Sequence, residues 1–203
     1  MKIQSQLLSF AIVAVSLVLL TSCGEKRAKD QPIEHDQKVV EQVKPVAVST
    51  PQYAVDEQFQ KQVASVFTNY ILLKDAFIAS DPNKVKGEAE KVSQALAKVD
   101  MTLLTEAAHK DWMVYQQNLN KALKDMEGKS EIEVQRSAFK DLSDELYKTI
   151  KAYGLGGATA YYDHCPMAFN NSGAYWLSDN SAIRNPYFGS KMLKCGSVEE
   201  QLN

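Results

Sequence analysis

Apolar residues recur every three or four positions from about Val55 to Tyr153, and this spacing predicts four amphipathic helices. The first carries Phe59, Val63, Val66, Tyr70, Leu73 and Phe77 and stops near Ser80, where Asp81-Pro82 supplies an N-cap and a first-turn proline for the next. The second presents Val85, Ala89, Val92, Leu96 and Val99. A third, from Thr105 to Glu127, turns Ala108, Trp112, Tyr115, Leu119, Leu123 and Met126 inward and ends at Gly128. Ser130 with Glu133 reads as a capping box for a fourth, whose stripe is Val134, Ala138, Leu142, Leu146, Ile150 and Tyr153. Gly154-Leu155-Gly156-Gly157 stops it. Four helices on short connections most simply make an all-α, antiparallel up-and-down four-helix bundle over residues 55–154, a region of about 100 residues that can enclose its own core.

The texture changes on both sides of that region. Residues 155–203 alternate turn signals, such as Asn170-Asn171-Ser172-Gly173 and Asn185-Pro186, with short apolar runs such as Ala174-Tyr175-Trp176-Leu177. They predict a small irregular C-terminal cap with at most one hairpin, packed on the bundle through Tyr175, Trp176, Tyr187 and Phe188. At the other end Lys2, an apolar run from Leu7 to Leu20 and Thr21-Ser22-Cys23 predict a lipoprotein signal peptide over residues 1–22, with Cys23 lipidated. The Lys, Glu, Gln and Pro content of residues 23–54 predicts a flexible tether, because it offers too little apolar surface to offset its ordering entropy. The chain is therefore expected in the cell envelope, lipid-anchored in the membrane, periplasm-facing or on the outer membrane.

Charge adds one exclusion. With 23 basic and 25 acidic residues in 203 and no basic stripe, nucleic acid is not an expected partner. The histidines are equally uninformative in the body of the chain. His35 is a lone tether residue, and Glu106-Ala-Ala-His109 is a single match to a di-iron motif that needs two.

Chemistry concentrates between Tyr161 and Cys195. Cys165 and Met167 are two apart, so an extended backbone would turn both sulfurs to one face and His164 away from them. Met192 and Cys195 are three apart, the spacing of one helical turn. If the chain doubles back, Cys165, Met167, Met192 and Cys195 would form a soft donor set suited to Cu(I) or another soft metal ion, with His164 as a further donor. The same two cysteines, in an exported protein, would equally serve as a disulfide stapling the cap. Both readings stay open at this point. An enzyme is not expected: His164 is badly placed to act as a base for Cys165, and no Cys-x-x-Cys pair is present.

Tyr161-x-x-His-Cys-Pro-Met-Ala168, Gly173-Ala-Tyr-Trp-Leu-Ser178, Ile183-Arg-Asn-Pro-Tyr-Phe-Gly189 and Met192-Leu-x-Cys-Gly196 together resemble a bacterial envelope domain of unknown function, DUF3347. The resemblance is read as tight over the last forty-odd residues and loose over the helices. Such domains occur alone in lipoproteins and fused to periplasmic adaptors of CusB-type copper and silver efflux pumps. The resemblance implies heavy-metal handling without catalysis: a lipoprotein that binds Cu(I) for sequestration or for transfer to an efflux assembly. The alternative is a non-catalytic envelope interaction module whose cap is held by a Cys165–Cys195 disulfide.

Overall fold

A computed structural model describes residues 47–203. The signal peptide expected at 1–22, the lipidation site Cys23, His35 and the tether as far as residue 46 lie outside the described residues.

Four long helices make up most of the fold: α1 (Glu57–Ile78), α2 (Pro82–Leu96), α3 (Glu106–Glu127) and α4 (Ile132–Tyr153). Their starts follow local chemistry. Asp56 accepts the backbone N–H of Gln58 at 2.7 Å, and Asp81 accepts those of Asn83 and Lys84 at 3.0 Å, satisfying donors that a helix start leaves unpaired. The capping box expected at Ser130 does not form. Glu131 is the N-cap and makes no side-chain bond, while the Ser130 hydroxyl accepts from Lys86. Val134 is accordingly exposed, and Gln135 and Arg136 turn inward instead. Gln135 donates to the backbone oxygens of Pro82 and Lys129, which draws the first turn of α4 against the start of α2.

α1 packs beside α2, α2 beside α3, α3 beside α4, and α4 also meets α1. Phe59, Tyr70, Phe77, Trp112, Phe139 and Tyr153 fill the space between them, all with essentially no exposure. Each such side chain contributes about 1.5–3 kcal/mol by leaving water.

The expectation of an all-α chain with an irregular cap needs correction, because the C-terminal region carries a sheet. Strands β2 (Ala160–Cys165), β3 (Ala174–Ser178) and β4 (Ser197–Leu202) are joined by β1 (Ala47–Ser49) in the order β1-β4-β2-β3. β2 runs antiparallel to both β3 and β4, and β1 runs parallel to β4. The tether expected to reach residue 54 is therefore structured at its end. Gln52 and Tyr53 donate backbone hydrogen bonds to Lys151 and Ala152, and the Tyr53 hydroxyl reaches Asp111 at 2.6 Å.

The register sorts the sheet into two faces. Tyr162, His164, Tyr175 and Leu177 share one, and Asp163, Cys165, Ala174, Trp176 and Ser178 the other. On the first face Tyr162, His164 and Tyr175 are half-buried, and Tyr147 of α4 stacks on Tyr162; the Tyr70 hydroxyl of α1 accepts the backbone N–H of Leu177. The loop 179–196 covers the second, with Tyr187 edge-on to Trp176 at 6.0 Å between ring centres.

Candidate metal centre

Cys165 ends β2 and is fully buried, so its place is set by the sheet. Cys195 comes from the loop that returns to β4, and three local features fix it. Its N–H bonds to the Met192 carbonyl at 3.1 Å, closing the one turn that the three-residue spacing predicts. Its carbonyl accepts from the Asn185 side chain at 2.7 Å. Gly196, at φ +141°, then lets the chain lie directly on β2, where a Cβ would stand 2.7 Å from the His164 carbonyl oxygen and 2.8 Å from the Trp176 ring.

The consequence is that two free cysteines thirty residues apart bring their sulfurs within 3.0 Å of each other. The shared hydrogen bond, with burial and the neighbouring sulfur, pushes the Cys195 thiol up to about 11. At neutral pH Cys195 is a thiol and a poor nucleophile. A soft cation arriving between the sulfurs would displace protons to gain thiolates.

The methionines behave differently from the extended-chain expectation. The backbone turns at Pro166-Met167, so Met167 leaves the strand direction and stands 47% exposed while Cys165 is buried. Met167 and Met192 nevertheless line one groove, together with Phe169, Phe188, Tyr187 and Arg136. His164 is not brought to the sulfurs. It lies on the opposite face of β2, stacked on Tyr175 at 4.2 Å. No three His, Cys, Asp or Glu side chains among the described residues converge as they would to hold an ion. A metal here would have the two cysteine sulfurs as its paired donors.

Two organising residues are not obvious in the sequence. Asn185 is fully buried, and besides holding the Cys195 carbonyl its Oδ1 accepts the N–H groups of Tyr187 and Phe188. Arg136, 4% exposed, donates to the carbonyls of Pro186 and Phe77 and to Ser80 Oγ, tying the loop to α1 and α4. The Asn185-Pro186 turn signal marks the first; nothing in the helical pattern marks the second.

Beside the groove, the single-turn element α5 (Ala168–Asn171) is strained. Phe169, Asn170 and Asn171 have φ of 50°, 57° and 66°, a left-handed run that asparagine tolerates and phenylalanine does not. Such strain persists only where surrounding contacts over-determine it, and Phe169 is held edge-on to Tyr187.

No curated protein and no solved structure matches this chain. One family model does, and its span runs from within α1 to the glycines after α4, ending before Cys165. The match thus lies in the helical body and not in the Tyr161–Cys195 stretch. Over residues 66–157 the chain resembles the family described as a protein of unknown function, DUF3347.

Proposed function

We propose that this chain binds one soft metal ion, Cu(I) foremost, between Cys165 and Cys195. The observation that carries this reading is the 3.0 Å approach of two free thiols drawn from distant parts of the chain. Thiolates supply affinity for a soft cation, and the thioethers of Met167 and Met192, which line one groove and stand two and three residues from the cysteines, offer weaker donors from which the ion exchanges. His164 has no part in the set. The four long helices serve as an antiparallel up-and-down bundle that holds the sheet and loop in place. In the cell the protein would sit in the envelope, anchored through Cys23, and sequester the ion or pass it to an efflux assembly. It performs no catalysis.

The test is a Cu(I) competition titration of the reduced full chain without oxygen, beside Cys165→Ser/Cys195→Ser and Met167→Leu/Met192→Leu. The expected result is one ion per chain, lost in the cysteine variant and held more weakly in the methionine variant. Absence of binding by the reduced protein overturns the reading. Combined with a thiol count of zero in the protein as isolated, that result would favour a disulfide-stapled interaction module.

A further inference from the structure

Four half-buried rings, three on one face of the sheet and one on α4, form a continuous ladder. Tyr147 of α4 stacks on Tyr162 of β2 at 3.8 Å and 13°, Tyr162 on Tyr175 of β3 at 4.7 Å and 10°, and Tyr175 on His164 of β2 at 4.2 Å and 27°. Cross-strand register accounts for the last two contacts, since His164 stands opposite Tyr175 and Tyr162 lies diagonal to it. Stacking of aromatic pairs stabilises a fold by itself. At the end of this ladder a phenol meets a carboxylate.

The Tyr147 hydroxyl donates to Glu200 Oε2 at 2.6 Å, and Lys151 Nζ holds the other oxygen, Oε1, at 2.7 Å. Burial pulls the Glu200 carboxyl up, but the hydrogen bonds from Lys151 and Tyr147 outweigh it and hold the group below its ordinary value. Glu200 is therefore ionised at neutral pH, with one oxygen on a phenolic proton. A phenol that loses an electron becomes a strong acid, so a tyrosine is oxidised readily only where a base stands ready for its proton. Tyr70, Tyr153 and Tyr187 bond a serine hydroxyl or backbone carbonyls, which are not bases. Among the described residues only Tyr53, on Asp111, has a comparable acceptor, and its neighbour Tyr153 is tilted at 30° and 5.6 Å away.

We propose that Tyr147 is a redox-active tyrosine at the end of a hole-conducting ladder. An outer-sphere one-electron oxidant takes one electron from the stack, through Tyr175 or Tyr162 or from Tyr147 directly. Tyr147 gives up that electron, its O–H bond breaks, and the proton passes to Glu200 Oε2. The products are a neutral phenoxyl radical, a carboxylic acid and the oxidant reduced by one electron. The hole stops at Tyr147 because that ring alone in the stack has a proton acceptor. This site is separate from the thiol pair, which lies across the sheet, and it does not depend on metal binding.

The probe is ruthenium tris-bipyridine with persulfate as terminal acceptor, flashed in the presence of the purified full chain and frozen for electron paramagnetic resonance. The expected signal is a tyrosyl radical in the parent protein. Most of it is lost in Tyr147→Phe and in Glu200→Gln, which keeps the shape but accepts no proton, and it is reduced in Tyr162→Leu, which breaks the stack. It is kept in Tyr53→Phe. Circular dichroism confirms that each variant is folded, and Glu200→Gln decides the matter if Tyr147→Phe is not. A full radical yield in folded Glu200→Gln, or loss of the signal in Tyr53→Phe instead, overturns the proposal.

Discussion

The hydroxyl of Tyr70 on α1 accepts the backbone N–H of Leu177 on β3 at 3.1 Å and donates to Ser143 of α4 at 2.7 Å. Ser143 in turn donates to the Phe139 carbonyl at 2.8 Å, so a buried chain of hydrogen bonds joins sheet to helices with every member satisfied. Tyr70→Phe keeps the ring and orphans a buried N–H. It should cost about 1–3 kcal/mol, read as a lower urea midpoint at unchanged slope.

Gly196 makes a different demand. A methyl group there meets backbone and the Trp176 ring below van der Waals distance, at a φ that side chains disfavour. Gly196→Ala should cost about 1–3 kcal/mol from the backbone alone and should move Cys195 off Cys165. Measured as slower disulfide formation under a fixed oxidant, with Gly87→Ala as a control where nothing lies within 4 Å, the effect should be confined to Gly196.

The pair itself predicts a response to oxidation. The sulfurs at 3.0 Å need only a small shift to bond. Removing two electrons and two protons to an external oxidant would close a loop that is worth roughly 3.5 kcal/mol through the unfolded state. The expected outcome is a higher melting temperature for the oxidised protein than for the reduced one, a difference that vanishes in Cys195→Ser.

Asp163 should make stability depend on pH. Its carboxyl is fully buried, neither oxygen has a hydrogen-bond partner, and burial pushes it up to about 7 despite Ser178 and Lys74 nearby. The unfolded chain ionises this group near its ordinary value of 3.8, the folded chain only near 7. Between those values the folded state holds the extra proton, so this group's contribution is most favourable below the lower value and is lost as pH rises through the upper. Asp163→Asn should flatten that slope in denaturation curves taken from pH 4 to pH 8 and raise stability at the alkaline end.

Much of the helical body was legible because its signals are local. The stripes of α1 and α2 are buried as read, and Asp81-Pro82 starts α2 where the dipeptide says it should. The failure at Ser130 has a tertiary cause: Gln135 finds acceptors on Pro82 and Lys129, and that sets the start of α4. The sheet was less legible for the same kind of reason. β4 reads Ser-Val-Glu-Glu-Gln-Leu, a poor strand by propensity, and it is held by Tyr147 and Lys151 on Glu200 from another element. β1 is three residues in parallel pairing, which no neighbouring sequence can announce. At the candidate site the turn from Met192 to Cys195 followed its spacing, whereas Pro166 broke the extended run that would have put Met167 beside Cys165.

The parallel pairing of Ala47–Ser49 with Glu200–Leu202 also has a mechanical meaning. A load applied at Ala47 falls first on three residue pairs, then on the two backbone bonds at Gln52 and Tyr53, and last on the Tyr53 side chain, which bonds Asp111 and packs on Tyr153. Those contacts would release in turn, each freed residue spanning at most about 3.6 Å, before strain reached α1. The start of the described chain would thus yield stepwise under tension, the strand first and Tyr53 last, before the load reached the helices.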